Sequence, residues 1–208
     1  MPKKLSPAQI FTRLSTLYPD AQCTLDWTNP LELLIATILS AQCTDKRVNI
    51  VTKSLFKKYR QPEDYVAVSL KELEQDIRSC GTYRMKAKSL QEACKTIIRD
   101  FEGAVPRSMV EMLTLRGVGR KTASVVLSTA YGIHEGIAVD THVTRVARRL
   151  GLTRSRTPAR IEKDLMKKFQ QKDWAKISHL LIFHGRNACT ARVKCEGNCL
   201  RVAHIKKA

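Results

Sequence analysis

Leu115-Arg116-Gly117-Val118-Gly119-Arg120-Lys121-Thr122-Ala123 decides the fold, read together with Val139-Asp140-Thr141-His142, whose aspartate lies nineteen residues after Lys121. Gly117 and Gly119 alternate with a valine and lead into an apolar helical pattern from about Gly119 to Ala130. A β-carbon at either glycine obstructs a tight turn and keeps a phosphate oxygen away from the backbone amides. The helix that follows directs its unpaired amides, and the positive end of its dipole, at such an anion. Contacts of this kind fix register on a nucleic acid without reading its bases. Lys121 places an amine nucleophile in the same turn, and Asp140 supplies a carboxylate. A Gly-Val-Gly turn alone is a weak signal, because it also caps ordinary helices. The full run followed by Val-Asp-Thr-His is far more specific.

Outward from this run the chain reads as helices. Ser6-Pro7-Ala8-Gln9, Ser69-Leu70-Lys71-Glu72 and Ser108-Met109-Val110-Glu111 each match the reciprocal serine–glutamate (or glutamine) capping pattern. Asn29-Pro30 and Thr157-Pro158 put a cap residue before a proline at the first helical position. Glycines 81, 103 and 132 suit helix ends. Apolar residues recur at three and four: Ile10, Leu14, Leu17; Val48, Val51, Leu55, Tyr59; Ile97, Ile98, Phe101; Ile161, Leu165, Phe169. Leu31 to Leu39 is apolar nearly all round, which predicts a helix at the centre of a core. No segment sustains a period of two. The prediction is an all-α fold of about ten short helices, arranged as two helical lobes with a cleft between them.

The net charge of +18 over 208 residues favours a polyanionic partner, because neutralising phosphates releases condensed counterions. The excess is uneven. Residues 140–208 carry 17 Lys or Arg against 5 Asp or Glu, whereas residues 1–139 carry 20 against 14. The shift near Gly132-Ile133-His134-Glu135-Gly136 marks a lobe boundary. The predicted division is a central domain at 24–135, containing the hairpin at about 110–131, and a second lobe built from 1–23 plus 136–208. No stretch reaches the roughly 18–20 apolar residues of a membrane span, and no basic-then-apolar signal opens the chain. A cytoplasmic, nucleoid-associated protein without membrane contact is expected.

The chain resembles the endonuclease III family of bifunctional DNA glycosylases, within the helix-hairpin-helix superfamily. The likeness runs through Asn29-Pro30-Leu31-Glu32-Leu33-Leu34-Ile35-Ala36, Leu39-Ser40-Ala41-Gln42-Cys43-Thr44-Asp45, Gly81-Thr82-Tyr83-Arg84-Met85-Lys86-Ala87, the hairpin, and His184-Gly185-Arg186. It implies base excision repair of duplex DNA holding damaged bases or abasic sites, with the target nucleotide swung out of the helix. Lys121 is then the catalytic nucleophile that forms a Schiff base and permits β-elimination, and Asp140 its catalytic carboxylate. Such a lysine is expected to be dehydrated in the cleft beside Arg120, which favours the neutral amine. Members that only remove the base lack this lysine, so Lys121 implies combined glycosylase and abasic-site lyase activity, with oxidised pyrimidines as substrates. Removal of another lesion or a mispaired base is the alternative within the superfamily. A non-catalytic DNA-binding module is the alternative outside it, and it leaves Lys121 with Asp140 unexplained.

The resemblance also assigns DNA contacts. Gln42 fills the gap left by the displaced base, and Gly117, Gly119 and Arg120 meet the backbone, with His142, Arg145, Arg192 and Lys194 as further contacts. Two positions depart from the pattern. Thr82 stands where a bulky apolar wedge is usual, and Arg116 where proline is usual. The family carries a [4Fe–4S] cluster on four cysteines spaced C-x6-C-x2-C-x5-C. Here Cys189, Cys195 and Cys199 are followed by no fourth cysteine, and His204 lies about where the last ligand is needed. Those four groups suit an iron–sulfur cluster; zinc, or no metal, are the other readings. The remaining cysteines, at 23, 43, 80 and 94, read as reduced and buried. A monomer is expected.

Overall fold

Several helix starts follow local side-chain chemistry in the computed structural model, which describes residues 5–192 and Leu200. Ser6 accepts the Gln9 amide while Gln9 returns a bond to the Ser6 amide, and Pro7 opens α1 (Pro7–Leu17). Asn29 caps α2 (Pro30–Leu39) by accepting the Glu32 amide at 3.0 Å. Then come α3 (Asp45–Lys58), α4 (Pro62–Ala67), α5 (Leu70–Asp76) and the 19-residue α6 (Tyr83–Phe101). The hairpin follows as α7 (Met109–Met112) and α8 (Arg120–Ala130), and the chain continues through α9 (Thr141–Arg149), α10 (Pro158–Met166) and α11 (Trp174–Asn187). Short 3₁₀ turns occur at Arg78–Cys80 and Gln171–Asp173. Among the described residues there is no strand, and the fold is all-α.

Some caps differ from expectation. Ser69 and Ser108 accept the amides of Glu72 and Glu111, but these glutamates do not complete the reciprocal box. Glu72 instead pairs with Lys58 at 2.6 Å, and Glu111 accepts the Ser108 hydroxyl at 2.8 Å. Thr157 begins α10 without a side-chain cap bond. Leu17, expected in the α1 stripe, is 39% exposed.

The chain divides into two compact units: Thr24–Glu135, and the residues up to Cys23 joined with those from Gly136 onward. In the first, α2 is the central element, with every residue from Leu33 to Leu39 buried. Around it stand Val48, Val51, Leu55, Leu73, Leu90, Ile97 and Leu127, all buried. In the second, Ile10 and Leu14 of α1 join Val143, Val146, Ile161, Leu165, Ile177 and Leu181 in one core. At roughly 25 cal/mol per Å² of apolar area removed from water, these two cores supply the main driving force for folding. Among the described residues no helix is long and apolar enough to cross a membrane.

Candidate functional site

The hairpin turn is anchored by its apolar residues. Leu115 (2% exposed) and Val118 (7%) are buried, while Gly117 and Gly119, on either side of Val118, are exposed. The Val118 amide donates to the Leu115 carbonyl at 3.1 Å and closes the turn. The two glycines then differ. Gly117 has φ +82, and a β-carbon there would lie 2.8 Å from the Ser89 β-carbon on α6. Its smallness is demanded by the left-handed backbone and by packing inside the protein. Gly119 has ordinary extended φ/ψ as the N-cap of α8, and a β-carbon there would meet nothing within 4 Å. The protein's own packing gives no reason for that glycine. As a glycine N-cap, Gly119 makes no side-chain cap bond to the start of α8, where the positive end of the helix dipole lies.

Lys121 is the second residue of α8 and is exposed, as are Arg116 and Arg120. Arg120 Nη2 reaches the Glu135 carbonyl at 3.5 Å. The exposure of Lys121 departs from the expected dehydrated amine. The protein surface alone does not exclude water from it, so any dehydration has to come from what binds there. Asp140 is half-buried and is the N-cap of α9, with Oδ1 accepting the Val143 amide at 2.8 Å. The segment leading to it is held by Ser178 Oγ, which donates to the Ala138 carbonyl at 2.7 Å. One carboxylate oxygen is thus fixed by the helix start, a structural duty the spacing Asp-Thr-His-Val could have announced.

Arg145, expected at the DNA backbone, is committed elsewhere. Its Nε donates to the Cys189 carbonyl at 3.0 Å and its Nη2 to the Gly185 carbonyl at 2.9 Å, with His142 Nδ1 at 3.1 Å. It joins α9 to the end of α11. His142 takes part in the same junction, because a β-carbon on Gly185 would come within 3.0 Å of the His142 β-carbon. Arg148 is the exposed arginine of this helix. Arg192 is exposed, and Lys194 lies outside the described residues.

Gln42 and Thr82 are both exposed and share a feature the sequence did not announce. Each is a non-glycine residue with positive φ, +53 and +45. Such backbone costs about 1–2 kcal/mol per residue and persists where the surroundings enforce it. Thr82 is the N-cap of α6 without a side-chain cap bond. Lys86, four residues later, is 5% exposed. The sequence signal for it was present: Lys86, Ala87, Leu90, Ala93, Cys94 and Ile97 form the buried stripe of α6, and the lysine stands on it.

Of the expected metal ligands, Cys195, Cys199 and His204 lie outside the described residues. Cys189 is fully buried, and Arg149 Nη1 donates to its sulfur at 3.3 Å and to the Thr190 carbonyl at 2.7 Å. A buried sulfur facing a guanidinium suits a thiolate ligand. Among the described residues no cluster of three or more metal-binding side chains occurs.

These features can be set beside known proteins. A profile of the HhH-GPD superfamily of base excision DNA repair proteins matches residues 35–171. Endonuclease III of Synechocystis sp. is 50% identical over 203 residues, covering 98% of this chain and 92% of that protein. Endonuclease III of Bacillus subtilis is 52% identical over 181 residues, covering 86% and 82%. A solved structure of a trapped endonuclease III–DNA covalent intermediate superposes with a TM-score of 0.87 at 51% identity, covering 91% of this chain and 90% of that one. The glycine turn and α8 lie within the matched residues, and the chain belongs to the endonuclease III family of the HhH-GPD superfamily.

Proposed function

We propose that this chain is a base excision repair DNA glycosylase with abasic-site lyase activity, acting on oxidised pyrimidines in duplex DNA. The observation that carries the proposal is Lys121, exposed in the first turn of α8 beside the open space at Gly119. A phosphate seated on the α8 amides brings the adjoining nucleotide to that amine. The bound strand then displaces water from around Lys121.

The chemistry follows from the amine. The Lys121 lone pair forms a bond to the sugar C1′ as the bond from C1′ to the base breaks. The base leaves with that electron pair and takes a proton. The nitrogen loses one proton, and its lone pair then expels the ring oxygen O4′, which takes a proton as the sugar ring opens, giving an iminium that keeps one N–H. Loss of a C2′ proton then breaks the C3′–O bond, and the 3′ phosphate leaves with the electron pair. Water finally releases the lysine. Asp140 stabilises the positive charge that develops on the sugar and assists deprotonation of the amine. Gln42 and Thr82 enter the duplex where the nucleotide has left it, and Arg120, Arg192 and Lys194 meet phosphates.

Cys189, Cys195 and Cys199, with His204 as fourth ligand, would hold a [4Fe–4S] cluster, which the buried, guanidinium-faced Cys189 supports. When bound it supplies a structural tie for the loop of Arg192 and Lys194. Iron content and visible absorbance of the purified protein test this. Zinc in place of iron, or neither, would refute it.

The activity is tested by borohydride reduction on a duplex with one abasic site. The expected result is a covalent protein–DNA adduct, absent from Lys121→Ala. An adduct that persists in that variant refutes Lys121 as nucleophile, and no adduct with the intact chain favours the binding module.

A further inference from the structure

Lys86 places a buried cation where two chain segments end. Its Nζ donates to the carbonyl of Leu39, the last residue of α2, at 2.9 Å, and to that of Cys80, which closes the 3₁₀ turn, at 2.5 Å. The last carbonyls of a helix have no donor within it, and a cation at that end also meets the negative pole of the dipole. Each segment then runs directly into one of the strained residues: Gln42 three positions after Leu39, and Thr82 two positions after Cys80. One nitrogen therefore stands at the base of both exposed left-handed corners.

The placement is otherwise unfavourable. Burying an ammonium is costly unless it is well bonded, and an apolar residue would fit the α6 stripe better. Burial pushes the Lys86 ammonium below its ordinary range, opposed by the neighbouring thiols of Cys43 and Cys80. What offsets this cost is the bond the ammonium makes to each of the two carbonyls.

We infer that Lys86 is a positioning residue: its ammonium locks the loop of Gln42 to the loop of Thr82, and so sets the spacing with which the two enter the duplex. The inference rests on the proposed reading of those two residues as the groups that occupy the opened helix. Lys86 touches no DNA. It fixes in advance a geometry that DNA opening would otherwise have to impose, and that preorganisation lowers the cost of binding.

The test is a mutant cycle on the full chain with duplex containing one abasic site and 2-aminopurine beside it. Lys86→Met keeps the stem and removes the donors. It is expected to raise KM about tenfold, the scale of one charge-assisted hydrogen bond, with a much smaller fall in kcat. The 2-aminopurine signal that reports unstacking should fall at saturating protein. In the Gln42→Ala/Thr82→Ala background, the same substitution should change KM less than about twofold, since there is nothing left to position. An equal effect in both backgrounds refutes the inference and makes Lys86 a general stabiliser. If Gln42→Ala/Thr82→Ala itself leaves KM and fluorescence unchanged, the underlying reading falls and the inference with it. If the methionine variant does not fold, Lys86→Gln replaces it with the same expectations, because its uncharged amide is one bond shorter and cannot hold both carbonyls. Failure of both to fold also refutes the positioning role.

Discussion

Two glycines in one turn should fail in opposite ways when given a methyl group. Gly117→Ala must hold a left-handed φ of +82, at about 1–2 kcal/mol. It must also fit a carbon 2.8 Å from Ser89 Cβ, an overpacking worth about 1–3 kcal/mol. The total, about 2–5 kcal/mol, corresponds to a Tm lower by roughly 5–15 °C in a chain of this size. Ser89→Gly removes the steric part, so Gly117→Ala should cost about 1–3 kcal/mol less in that background than in the native one. Gly119→Ala has no such penalty: its backbone is extended and the space around it is empty. Weaker N-capping and reduced unfolded-state entropy roughly offset each other there, leaving stability within about 1 kcal/mol. Its methyl group instead occupies the space assigned to a phosphate oxygen, and affinity for abasic-site duplex should fall about tenfold or more. Calorimetry and fluorescence anisotropy at fixed salt read the two effects. A native Tm for Gly117→Ala would refute the packing argument. Native DNA affinity for Gly119→Ala would refute the assignment of the open space.

Two further outcomes follow from side chains already placed. Arg145→Ala leaves the Gly185 and Cys189 carbonyls without their donor and should lower stability by about 2–4 kcal/mol. The slope of log Kd against log salt should stay unchanged, whereas loss of a phosphate contact would reduce it by nearly 1. His179 titrates at about 4 in the folded protein, lowered by burial and then by Lys176 and Arg186. The unfolded chain, near 6.5, binds the extra proton first, so the stabilisation is complete above about 6.5 and declines as pH falls towards 4. The decline should total about 1–2 kcal/mol after allowance for partial exposure, read from denaturant midpoints, and His179→Gln should remove that share.

Much of the fold was legible because helical cores repeat at three and four. The all-round apolar run of α2 announced a central helix, the Ser6–Gln9 capping box marked the start of α1, and proline after a cap residue marked those of α2 and α10. The glycine turn with Lys121 was legible as a motif, but the reason for each glycine was not. Ser89, which makes Gly117 obligatory, is 28 positions away in sequence and on another helix. The separate duties of the α9 arginines were hidden for a similar reason. Helical spacing groups Arg145, Arg148 and Arg149 as basic, yet carbonyls at the end of α11 claim the first, and Arg149 holds Cys189 and Thr190. Positive φ at Gln42 and Thr82 left no trace in composition, since neither is glycine. Lys86 was visible as a charge on an apolar stripe, an inconsistency between local pattern and core that marks a constrained site.

The second unit draws on both flanks of the first, and this orders events in time. Tyr18 bonds His184 at 3.0 Å across 166 positions, and Arg13 reaches the Leu200 carbonyl across 187. While the chain is being synthesised, residues 24–135 can collapse as soon as they emerge, because their partners are all present. α1 emerges first and must wait, its apolar side chains unburied, until α11 follows. Synthesis that aborts after Glu135 and before Asp140 releases a chain with a complete first unit and Lys121 but no Asp140, and with the Ile10 and Leu14 face unprotected for chaperones or proteases to find.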